Sequence, residues 1–322
     1  MPPAGGSSRR RPERYDRGQG QMATRWKRRE RLRFRRVLEG ALIVGLLCGG
    51  VLGLWASGGH ALDLGEEGPA ARGAPSDKHL AYRYMTVGWL DWAAMQLADV
   101  VNKRPDVESL IVLGMLLDEL EDDQQAVRAY EQAIEMAAGD PRTQSAALTL
   151  LGNLHWKAGR TGPASEAFEK ALELSETNAQ ALFGMGLIAE DAGEDFDAIE
   201  WYQRAAQAAP EWIDPVVRAA SLLNGQGDFG RAAVLLKEAS HLGIWHAEYH
   251  FQLARSYEGL LSTVLAQGVS PELAEKLEAI GIAPDEPDRR LKEHALHAVD
   301  RLKQLDAQHP GLEPLFHRLE QL

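Results

Sequence analysis

The chain has 322 residues, 45% hydrophobic and 25% charged, the composition of an ordinary globular protein and room for about two domains of ~150 residues or a stack of repeats. Its net charge of −12 hides two regimes: residues 1–56 carry 13 basic and 4 acidic side chains, +9, against 22 basic and 43 acidic, −21, in residues 57–322. The single cysteine, Cys48, lies in the N-terminal apolar run, which excludes a disulfide framework beyond it.

Residues 1–37 form a basic tail. Its opening, MPPAGGSSRRRPERYDRGQGQ, has no apolar periodicity and reads as disordered. Arginine-rich tails bind phosphates, but setting topology and touching anionic headgroups at ~1 kcal/mol per basic residue is the simpler role, so no nucleic acid is expected. Then comes GALIVGLLCGGVLGLWA, Gly40–Ala56, 17 residues without a charge. As a helix it rises roughly 25 Å, near the lower limit for a hydrocarbon core. Joined by Leu38, with Arg35 and Arg36 snorkelling, residues 38–56 are expected to span a membrane once. The alternative is a cleaved signal segment, since Ala56-Ser57-Gly58 offers small residues. The long basic segment ahead of the run and an interfacial Trp55 favour a retained anchor. The positive-inside rule keeps the N-terminus cytoplasmic and sends the rest across, to the periplasm if the membrane is a bacterial inner membrane. Gly45, Gly49 and Gly53 share one face of this helix and allow a homo-oligomeric contact there. Residues 57–73, rich in Gly, Pro and Ala, read as a flexible linker.

Beyond residue 74 the sequence repeats. In FDAIEWYQRAAQAAP, residues 196–210, Ala198, Tyr202 and Ala205 align 34 residues back with Ala164, Phe168 and Ala171, and 34 forward with Ala232, Leu236 and Ala239. Gly152, Gly186 and Ala220 keep the same step in the preceding helices, as do the turn glycines Gly159, Gly193 and Gly227. Gly114, Ala126, Tyr130 and Ala133 continue the pattern upstream after a four-residue slip at GDPR, 139–142, and Ala81, Tyr84, Gly88, Ala93, Leu97 and Pro105 begin it.

This pattern resembles the tetratricopeptide repeat (TPR) family. The resemblance implies an all-α, right-handed α-solenoid of antiparallel helix pairs, with small residues where helices meet and an aromatic wedge between them. It covers 74–258 as about five repeats plus the first helix of a sixth, AEYHFQLARSYEGL. A helical insertion, 259–290, then intervenes, with Ser270 as N-cap, Pro271 at the first helical position and Gly281 as stop. Residues 291–322 supply a late second helix, with Ala298, Leu302, Leu305 and Pro310 restoring the spacing, and a short capping helix.

Catalysis finds no residues to stand on. There is no phosphate loop, nucleophile elbow or soluble cysteine. His246 and His250 are four apart, a metal-ligand spacing, but His250 falls on a core slot and no third ligand matches, so neither a metal nor a cofactor is expected. An enzyme housed in 262–290 remains the remote alternative. The resemblance instead implies a surface that binds a protein or peptide, on the first helix of each pair. That row comprises Tyr82, Met115, Thr149, Asn153, Trp156, Phe183, Leu187, Val217, Ser221, Asn224, Phe251 and Arg255. Lys78 matches a carboxylate-clamping lysine of chaperone-tail binders, but Tyr82 and Met115 stand where that clamp needs asparagines. The expected protein is a membrane-anchored scaffold or assembly factor. A narrower expectation is a TPR component of cytochrome c maturation, outer-membrane protein assembly or polysaccharide export.

Overall fold

The computed structural model describes residues 78–283 and 285–322. The expected tail, membrane span with Gly45, Gly49 and Gly53, linker and first residues of the array lie outside the described residues. Among the described residues there are fourteen α-helices, one 3-10 turn and no strand, and no helix is long and apolar enough to cross a membrane.

The helices run α1 (Lys78–Thr86), α2 (Leu90–Lys103), α3 (Val107–Glu119), α4 (Asp123–Met136), α5 (Pro141–Lys157), α6 (Thr161–Leu174), α7 (Ala179–Asp191) and α8 (Asp195–Ala208). Then follow α9 (Ile213–Gly225), α10 (Phe229–Glu238), the 3-10 turn Gly243–Trp245, α11 (Ala247–Gln267), α12 (Pro271–Ala279), α13 (Pro287–Leu305) and α14 (Leu312–Gln321). The chain divides into two compact units between Leu150 and Leu151, within α5. The repeat pattern alone gives no sign of that division.

In the first unit α1 packs on α2, α2 on α3 and α3 on α4. Asp106 caps α3 by accepting from the Ser109 N–H, and Asp122 caps α4 by accepting from Gln125. Gly114 of α3 faces the Tyr130 ring of α4 so closely that a Cβ would lie 2.5 Å from it. That is why the slot takes glycine.

The second unit repeats the device. Phe168 of α6 wedges between Gly152 of α5 and Gly184 of α7, and Tyr202 of α8 lies against Gly186 of α7. Alanines at 164, 171, 198, 205 and 232 are fully buried where helices approach. The turn between paired helices needs a left-handed residue, which Gly193 supplies at φ 76°. In the first unit's α3–α4 turn Glu121 takes that conformation at φ 63°, strained for a side chain.

The C-terminal end departs from the expected boundaries. The sixth first helix, α11, continues to Gln267 rather than stopping near 258, because nothing breaks its apolar periodicity before Gly268, φ 74°. Its antiparallel partner α13 begins at Pro287. Between them α12, capped by Ser270 accepting from Leu273 N–H, packs on α10. Leu277, Ile280 and Ile282 join Leu260, Leu261, Leu291 and Ala295 in one core, so the insertion closes the pair instead of hanging from it.

Candidate partner-binding face

Each expected site residue lies on a first helix or its end, and neighbouring helices have already claimed several of them. In the first unit Tyr82 donates its hydroxyl to Glu108 Oε1 at 3.0 Å, and Lys78 Nζ reaches Glu108 at 2.8 Å and Asp106 at 3.2 Å. Burial and the Glu108 carboxylate push the Tyr82 phenol pKa far up, so the hydroxyl stays a donor. Lys78 is thus bound to two acids of α3 and its end, not poised for a ligand carboxylate. Met115 is half-buried. Thr149 is buried and donates to the carbonyl of Ser145 one turn back, which corrects its place in the row.

In the second unit Leu187 and Val217 are buried among α7, α8 and α9 and offer no surface to a ligand. Asn224 is 3% exposed, and its amide is committed: Nδ2 donates to the carbonyl and Oε1 of Gln252, and Oδ1 accepts from the Ser256 hydroxyl. It joins α9 to α11 and has no group left for a ligand, which removes it from the expected row. Phe183 packs between Tyr202, 5.2 Å away, and Trp212, 4.7 Å away. Phe251 is covered by Gly311 and by His309 at 4.5 Å, both from the segment entering α14. These two rings join repeats and are packed within the fold, which corrects their place in the row.

The common cause is a repeated junction. A residue in the second half of one first helix reaches a residue in the second turn of the helix beyond: Glu190 to Arg218 at 3.1 Å, Asn224 to Gln252, and Glu258, mid-way along the lengthened α11, to Arg318 at 2.9 Å. Trp156, near the end of α5, instead donates its indole N–H to Asp191, the last residue of α7, at 2.7 Å. Sequence reading missed Gln252, Arg318 and Asp191. The 28-residue step shared by Glu190–Arg218 and Asn224–Gln252 was the signal that could have found Gln252.

What remains available in the second unit is narrower. Asn153 is half-buried and, among the described residues, makes no side-chain hydrogen bond. Ser221 receives, among the described residues, only the Gln252 amide, at 3.3 Å. Arg255 spends one nitrogen on Gln252 Oε1 and lies 5.8 Å from the Phe251 ring, leaving further donors. His246 accepts from Tyr249 N–H as the cap of α11 and bonds Asp214, holding that carboxyl below its usual range, while His250 is buried. Among the described residues no three candidate ligands gather for a metal.

Two tetratricopeptide repeat family models match the chain, at residues 107–140 and 149–211. No curated protein matches it. Among solved structures it is similar to PilF of Pseudomonas aeruginosa, at 16% identity and TM-score 0.52 over 74% of this chain and 95% of that one. It is also similar to the APC/C hetero-tetramer Cut9–Hcn1, at 14% identity and TM-score 0.53 over 75% and 42%. YrrB, described as a TPR protein with an unusual peptide-binding site, covers 71% of this chain and 100% of its own at 16% identity and TM-score 0.46. At these identities the likeness is one of fold.

Proposed function

From the premise that this is a tetratricopeptide repeat protein, we propose that it is a membrane-anchored scaffold that holds a partner polypeptide along its first-helix row, on the non-cytoplasmic side of the membrane. Proteins of this family are in general protein-interaction scaffolds. The observation that carries the reading is the hydrogen-bonding capacity that Asn153 and Arg255 keep unspent among the described residues, on a row where Thr149 and Asn224 are committed within the fold. Such groups suit a main-chain ligand, which offers both donors and acceptors.

Anchoring rests on residues 38–56 and the +9 flank, and a reporter fused after Leu322 is expected to be active only outside the cytoplasm. The binding role is tested by mild detergent extraction and co-purification of the full-length protein. The double variant Asn153→Ala, Arg255→Ala should lose the partner that wild type retains while unfolding at the same temperature. Undiminished capture by that variant would refute the groove.

A further inference from the structure

The last turn of α7 places Glu190 and Asp191 at the helix C-terminus with no basic residue in that turn. Aligned peptide dipoles make this pole partly negative, so anions are disfavoured there. Glu190 is compensated, accepting from the Tyr202 hydroxyl and pairing with Arg218. Asp191 is not. Its partner is the neutral indole N–H of Trp156 at 2.7 Å, and no lysine or arginine of the described residues pairs with it. The chain beyond adds Glu194, Asp195, Asp197 and Glu200 before the next basic residue, Arg204.

The second element is the ring itself. Trp156 is half-buried, packed in part against the core of α7, α8 and α9, and its N–H bond to Asp191 fixes the indole beside that carboxylate. A guanidinium or ammonium group placed here would meet the carboxylate and the ring's negative face together, and relieve the charge at the helix end. Asn153, on α5 with Trp156, has an amide unbonded among the described residues and available to the adjoining main chain. Residues 151–322 carry 15 basic and 27 acidic side chains, so the long-range field also draws a cationic segment.

We propose that Trp156 and Asp191 form a seat for an arginine or lysine side chain of the polypeptide bound along the first-helix row. The inference rests on the groove reading above and names the chemistry of what lies there.

The test uses full-length protein and two fluorescein-labelled nonapeptides, one alternating leucine with arginine and one alternating leucine with glutamate, followed by anisotropy. Asp191→Asn keeps an acceptor for the Trp156 N–H while removing the charge. Glu313→Gln, exposed on α14, removes the same charge elsewhere. The arginine peptide should bind and the glutamate peptide should not. Asp191→Asn should weaken binding about five- to tenfold and Glu313→Gln less than about twofold, in proteins that unfold alike. Equal losses in the two variants would reduce the effect to net charge and overturn the seat. So would binding of the glutamate peptide, or failure of the arginine peptide to bind. If Asn153→Ala, Arg255→Ala abolishes binding while Asp191→Asn does not, the groove stands and the seat falls. If the arginine peptide binds and neither change matters, both fall.

Discussion

The pairs α7–α8 and α11–α13 make the same kind of contact with very different lengths of chain between their helices. Three residues, 192–194, join α7 to α8, whereas nineteen, 268–286, separate α11 from α13. Yet Glu258 and Arg318, 60 residues apart, pair as Glu190 and Arg218 do at a separation of 28. What the fold repeats is therefore a register of contacts and not a count of residues. An insertion is tolerated where it brings its own apolar face, and this one does so with Leu277 of α12 and Ile280 and Ile282 just beyond it, over the lengthened ends of α11 and α13.

The sharpest way to break this comparison is to remove that face. Leu277 is fully buried, and Leu277→Ala is expected to cost about 2–5 kcal/mol, as for a leucine anywhere in a packed core. Chemical denaturation measures it. A loss below about 0.5 kcal/mol would mean that the insertion is an excursion from the fold and that α11 and α13 hold without it.

A smaller effect compares the close-approach slots directly. Gly186 meets the Tyr202 ring, and Ala254, at the equivalent place in α11, is fully buried. Leucine at either position should overpack its pair by about 1–3 kcal/mol. If Ala254→Leu were neutral and Gly186→Leu costly, the longer pair would not share the register of the regular one.

The two pairs should also differ in their response to acid. His250 and His294 both titrate below their ordinary value near 6.5, chiefly through burial, and Arg301 beside the first and Lys237 beside the second act in the same direction. The α7–α8 pair contains no histidine. Below about pH 6.5 the unfolded chain takes up protons that these folded imidazoles refuse, so their contribution is complete above that value and declines as pH falls through it. The melting temperature should drop between pH 7 and pH 5, and His250→Gln should make that slope shallower. An unchanged slope would remove His250 from the acid response.

The repeats were legible because a small residue opposite an aromatic is a steric demand that survives changes of identity, as Gly152 with Phe168 and Gly186 with Tyr202 show. Caps such as Ser270 were legible for the same reason, being local chemistry. The surface was less so. A polar residue on the first-helix row reads alike whether it faces solvent or the next helix, and only packing separates the unspent Asn153 from the committed Asn224. Thr149 satisfies its hydroxyl within its own helix, which a spacing rule does not register. The end of α11 was missed because the 34-residue period put a turn near 258, where the sequence LLSTVLAQ continues the helix until Gly268.

The smallest effect tests the junction itself. Glu190–Arg218 and Glu258–Arg318 join corresponding places on successive first helices, and both arginine side chains are 49% exposed, so solvent screens both pairs. Each coupling should fall in the surface range of about 0.2–1 kcal/mol, measured by a double-mutant cycle with Glu→Gln and Arg→Met at each junction. The Glu258 side chain is 16% exposed against 27% for Glu190, and Arg318 gives it two nitrogens, at 2.9 and 3.4 Å. Its coupling should therefore lie at the upper end of the range, with the Glu190 pair below it. Both should shrink in high salt, the more exposed pair first. A coupling at Glu258–Arg318 indistinguishable from zero, beside a measurable one at Glu190–Arg218, would mean that α14 is held by Leu312, Leu315 and Leu319 alone and only mimics the next first helix.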